Sequence, residues 1–76
     1  MTQTPRVTAR EAERIVLKLD FILVRQSGSH RIYKNAAGQR VTIPFHSHKI
    51  LHPKVVKSII TDARISVEEF ITLLRD

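Results

Sequence analysis

The sequence predicts an α+β domain: a three-stranded antiparallel sheet with helices on one face, in the order α-β-β-β-α plus a short C-terminal helix. Three observations carry this. Apolar residues recur at helical spacing near both ends of the chain. Between them, Phe21 to Pro44 holds three short runs of strand-forming character. The runs are separated by two brief glycine-bearing turns, which suit consecutive hairpins. The 76 residues allow one domain, residues 1–76, with a thin core.

In chain order, Met1 to Val7 reads as an irregular lead-in. Thr8-x-x-Glu11 is a capping box, in which hydroxyl and carboxylate satisfy free backbone donors. Ala12, Ile15, Val16 and Leu19 follow at helical spacing, with Arg10, Arg14 and Lys18 on the other side, so the first helix is expected from about Ala9 to Leu19. Phe21-Ile22-Leu23-Val24 opens the first strand, which ends near Gln26. Ser27-Gly28-Ser29 is a tight turn, with Gly28 supplying a backbone conformation that other residues resist. His30 to Lys34 is the second strand and Asn35 to Gly38 the next turn. Arg40 to Pro44, alternating polar and apolar, is the third strand, ended by a proline that cannot donate to the ladder. Phe45 to His52 is a loop dense in basic groups and imidazoles. Pro53 is suited to the first position of a second helix, whose apolar stripe is Val55, Val56, Ile59, Ile60 and Ala63. Ser66-x-x-Glu69 is a second capping box and starts a terminal helix, Val67 to Arg75, expected to bury Phe70, Ile71 and Leu74. A three-stranded sheet covered on one face and open on the other is the architecture of double-stranded-RNA-binding domains.

Composition narrows the function. With no cysteine, disulfides, thiolate metal sites and thiol nucleophiles are excluded, and a reducing cytoplasm is the expected setting. No apolar run approaches a membrane span, and Met1 to Arg6 lacks the apolar centre of a secretory signal. The formal net charge is +6 and its distribution is uneven. Between Asp20 and Asp62 there is no carboxylate, while that interval holds Arg25, Arg31, Lys34, Arg40, Lys49, Lys54, Lys57 and every histidine. Such asymmetry is the footprint of a surface that meets phosphates, or of one that meets an acidic protein.

Two motifs sit inside this interval: Ser27-Gly28-Ser29-His30-Arg31-Ile32-Tyr33 before and along the second strand, and Val41-Thr42-Ile43-Pro44-Phe45-His46 after it. With Leu51-His52-Pro53, Ile59-Ile60 and Ile65 to Phe70, they resemble the HicA family of small toxins over nearly the whole chain from Thr8 onward. The chain departs from the family pattern at Asp20, where glycine is common, and at His48, an extra imidazole. The resemblance implies a messenger-RNA interferase held inactive by a HicB-type antitoxin, with the histidine of Gly-Ser-His, here His30, as the catalytic residue. Cleavage through the RNA's own 2′-hydroxyl needs no metal, and no cofactor is expected.

The chemistry fits a histidine. RNA carries its own nucleophile, the 2′-hydroxyl, so a ribonuclease needs a group to remove that proton, and neutral imidazole titrates in the range required. The bland alternative for His30 is a strand-edge histidine with a structural hydrogen bond. Period two puts it on the face of Ile32, so its exposure depends on which face the helices cover. Candidate RNA contacts are Ser29, Arg25, Arg31, Lys34, His46, Lys49 and Lys54. Against these stand a turn role for Ser29, a loop-stabilising role for His46 and ordinary solvated surface for the cations. Phe45 could stack on a base or plug the edge of the core. The loose spacing of His46, His48 and His52 argues against zinc. Two other functions stay open: a non-catalytic RNA-binding module, and an interaction domain whose basic face meets an acidic protein.

Overall fold

A computed structural model describes residues 4–46 and 49–76. Its elements are α1 (Ala9–Lys18), β1 (Ile22–Ser27), β2 (His30–Lys34), β3 (Arg40–Pro44), α2 (Pro53–Ala63) and α3 (Val67–Arg75). His48, singled out above as the extra imidazole, lies outside the described residues.

The capping chemistry starts each helix. Thr8 Oγ1 accepts from the Glu11 N–H at 3.2 Å, and Glu11 Oε1 accepts from the Thr8 N–H at 2.9 Å, the reciprocal pair of a capping box. Ser66 Oγ accepts from the Glu69 N–H at 3.0 Å. At α2 the cap is an imidazole: His52 Nδ1 accepts from the Lys54 N–H at 3.0 Å, with Pro53 at the first helical position. Because His52 serves here, His52→Ala is expected to cost about 1 kcal/mol and lower the melting temperature by roughly 4–8 °C, while His52→Asn, a good cap, keeps most of it. Thermal unfolding followed by circular dichroism checks this; equal melting temperatures for wild type and alanine would refute it.

Both α1 and α2 end in Schellman motifs without glycine. After α1 the Phe21 N–H reaches Val16 O and the Asp20 N–H reaches Leu17 O, each at 3.1 Å, with Asp20 at φ 68°. After α2 the Ile65 and Arg64 N–H groups reach Ile60 O and Thr61 O, with Arg64 at φ 60°. The left-handed conformation costs an L-residue roughly 1–2 kcal/mol. At Asp20 the chain therefore keeps the turn that glycine would make cheaply, and Phe21, C-terminal to it, is driven into the core.

The strands form one antiparallel sheet in the order β1-β2-β3. Gly28, at φ 57°, occupies the first central position of a two-residue hairpin loop, as a type II′ turn requires. Ser27 thereby lies opposite His30, Gln26 opposite Arg31 and Arg25 opposite Ile32. A bulge between Leu23 and Arg25 shifts the register before Leu23 meets Tyr33. Across the other ladder His30 faces Pro44, Arg31 faces Ile43, Ile32 faces Thr42 and Tyr33 faces Val41.

Tyr33, Val41 and Ile43 are fully buried together with Ala12, Ile15 and Val16 of α1 and Val56 and Ile59 of α2. The helices therefore cover the face that carries Arg31 and Tyr33, and leave open the face that carries His30, Ile32 and Lys34. α3 packs on α1, where Arg14 and Lys18 donate to the carbonyls of Leu73, Leu74 and Asp76 at its C-terminal end. Its buried side departs from expectation in part: Phe70 is fully buried and Val67, Leu73 and Leu74 pack against the core, whereas Ile71 is only half-buried. The 3.6-residue period rotates position 71 past the contact, and Leu73 fills it. β1 differs from the other strands, being exposed along its whole length.

Candidate functional site

His30 is the first residue of β2, exposed and on the open face of the sheet. The cross-strand register surrounds it: Ser27 is its partner on β1 and Pro44 its partner on β3. Arg25 and Thr42 are its diagonal neighbours, with Cβ atoms about 7–8 Å away in such a ladder. This places a cation and two hydroxyls beside the imidazole. Arg25 was expected there; Ser27 and Thr42 were not. Counting from the two-residue Gly28-Ser29 loop fixes Ser27 opposite His30, so that much was available from spacing.

The other expected residues divide. Ser29, half-buried in the turn, lends its carbonyl to the Phe45 N–H at 2.5 Å, which ties the turn before His30 to the chain leaving β3. His46 follows directly and is exposed. Lys34 lies on the face of His30 but four residues along β2, about 13 Å away. There it pairs with Arg40, a like-charged couple directly opposite each other. Lys49 and Lys54 are exposed, the one in the loop and the other in the first turn of α2.

Arg31 departs from the expected phosphate contact. On the helix-facing side, its Nη1 donates to Glu13 Oε2 at 2.9 Å, and its guanidinium carbon lies 3.8 Å from the Phe45 ring centroid. The hydrogen bond to Glu13 holds the guanidinium above its ordinary pKa. Its Nε is buried without a hydrogen-bond partner among the described residues. Phe45, for which base stacking was one option, is half-buried, packs against the core and offers a ring face to Arg31. The pair acts as a brace behind His30, because Arg31 follows His30 in the chain and Phe45 holds the carbonyl that precedes it.

Glu13 Oε2 also accepts from the Tyr33 hydroxyl at 2.5 Å. Burial, and then this bond, raise the phenol well above its usual value of 10.0. The folded chain therefore keeps a proton that the unfolded chain gives up above about pH 10, so this contribution to stability is complete below that pH and is lost as pH rises beyond it. Tyr33 is the single tyrosine and there is no tryptophan, so phenolate absorbance reports it alone. We expect that absorbance to appear only as the protein unfolds, with coincident transitions by absorbance and circular dichroism. Phenolate forming in the native state near pH 10 would refute the buried bond.

The fold and site thus define a small basic domain of α+β class, with an open sheet face that carries an exposed histidine among cations and hydroxyls. Residues 9–65 match the family model described as the HicA toxin of bacterial toxin–antitoxin systems, and the chain belongs to that family. No curated protein matches it. As a family member it is a toxin with an antitoxin partner. Among the described residues no helix is long and apolar enough to cross a membrane.

Proposed function

We propose that this chain is an endoribonuclease toxin, a metal-independent mRNA interferase of the cytoplasm, with His30 as general base. The observation that supports this best is the placement of His30: exposed at the end of a hairpin, on an open sheet face, with Arg25, Ser27 and Thr42 around it. In this reading the RNA backbone crosses the open face at the Gly28 turn. His30 takes the proton of a 2′-hydroxyl; the freed oxygen attacks the adjacent phosphorus and the P–O5′ bond breaks. Arg25 stabilises the charge that grows on the phosphate, and His46 donates the proton that the leaving 5′-oxygen needs. The products are a 2′,3′-cyclic phosphate and a 5′-hydroxyl. Ser29 orders the turn, and Lys34, Lys49 and Lys54 steer the polyanion. Arg31 contributes by bracing rather than by touching RNA. A HicB-type antitoxin silences the enzyme by covering His30.

The test is induced expression of wild type and His30→Ala, with growth and RNA 5′ ends followed together. Wild type should arrest growth and generate new 5′-hydroxyl ends, and the variant should do neither. Equal toxicity of a folded His30→Ala chain would sink the proposal.

A further inference from the structure

β1 overhangs the core. The helices seal the sheet face behind Tyr33, Val41 and Ile43, yet all six residues of β1 are exposed. Three successive apolar side chains lie at this edge: Ile22 is 63% exposed, Leu23 44% and Val24 48%. The bulge keeps Leu23 on the helix-facing side, while Ile22 lies on the open side with Lys34 as its partner. Leu17, 48% exposed, stands one helical turn beyond Glu13 on the same face of α1. Glu13 bonds Tyr33, the cross-strand partner of Leu23, so α1 carries Leu17 on the face that looks to this pair of strands. Among the described residues, three of the five large exposed apolar side chains belong to this one strand. Soluble monomers rarely leave such a ledge uncovered.

We infer that this ledge is the anchoring surface for the antitoxin, an acidic protein that packs an apolar surface against Leu17, Ile22, Leu23 and Val24. Charge selects the occupant. The cations on and beside the strand are Arg25 and Lys34, with Arg40 one strand further on, against the carboxylate of Asp20 at its start and that of Glu13, which is already bonded to Arg31 and Tyr33. A second copy of this chain would bring another +6 against them. RNA gains little from aliphatic side chains at a strand edge. An acidic partner gains both burial and charge complementarity. The bulge at Val24 interrupts the edge ladder, so the contact is made by side chains rather than by a full added strand. Ser27 continues the same strand to His30, so a protein seated here lies at the rim of the site it must cover. The inference rests on the reading of this chain as a toxin silenced by a protein partner, and it separates the residues that hold the partner from those that act on RNA.

The experiment measures, by titration calorimetry, the affinity of the full chain for a HicB-type antitoxin. Leu23→Glu and Ile22→Glu are each expected to weaken the complex by about 30-fold or more, as loss of a central apolar anchor does. Either variant should arrest growth even when the antitoxin is co-expressed, whereas His30→Ala should bind the antitoxin as tightly as wild type. Retained toxicity shows that a variant folds; Val24→Lys serves as a second probe where it does not. Wild-type affinity and normal neutralisation of the β1 variants would overturn the inference. So would a homodimer of the free chain, by sedimentation, that Leu23→Glu dissolves. If wild type itself cuts no RNA, the enzymatic reading fails, while the calorimetric affinities still decide the ledge.

Discussion

Replacing His30 by alanine is expected to slow RNA cleavage by about 10²–10⁴-fold, the contribution of one positioned proton-transfer group, with little change in RNA affinity. The two effects separate because of where the residue sits. His30 is exposed at a strand end, and its backbone pairing with Ser27 and Pro44 does not depend on the side chain. The turn ahead of it is held by the Phe45 N–H on Ser29 O, again through backbone. Truncation therefore removes an imidazole and leaves the surface that collects phosphate, with Arg25 and the lysines, in place. Single-turnover cleavage of a single-stranded RNA carrying every dinucleotide step, beside equilibrium binding of the same RNA, gives both numbers. A variant that cleaves within a few-fold of wild type would remove His30 from the chemistry. A variant that loses binding and cleavage in parallel would make it a contact residue instead.

What could be read from the chain follows the range of the interactions involved. The helix starts were legible because capping runs between residues three apart: Thr8 and Glu11 form the full reciprocal box, and at α3 the Ser66 hydroxyl makes its half of the expected one. The Gly28 turn was legible for the same reason, and with it the place of His30 at the head of β2. The side to which His30 points was not. That depends on which face of the sheet the helices cover, and the covering is fixed by Tyr33, Val41 and Ile43 acting together. Arg31 shows the same limit. In sequence it is one more cation in a stretch without carboxylates, and its partner, Glu13, is 18 residues away on α1. The charge pattern therefore counted as free a cation that Glu13 holds. The exposure of β1 was hidden most deeply, because Ile22-Leu23-Val24 has the composition of a buried strand. Nothing local announces that the helices stop short of it.

The second large effect expected is on stability. Phe70→Ala should cost about 3–5 kcal/mol, the usual range for emptying the place of a buried phenylalanine. A chain of 76 residues has about 4–11 kcal/mol in all, at about 0.05–0.15 per residue, so this one change removes roughly a quarter or more of it. Phe70 is fully buried, yet it belongs to α3, beyond residues 9–65 that carry the family match. Its loss would be felt at the site through α1. α3 holds α1 through Phe70 and through Arg14 and Lys18 at its C-terminal carbonyls, and α1 carries the Glu13 that braces Arg31 and Tyr33. Urea unfolding should show a lower midpoint at an unchanged slope, since the surface exposed on unfolding hardly changes. A cost below about 1 kcal/mol would mean that the side chain is replaceable and that α3 is an ornament on a self-sufficient core. A cost in the expected range makes α3 part of the minimal folding unit, because the two remaining helices and three strands bury too little without it.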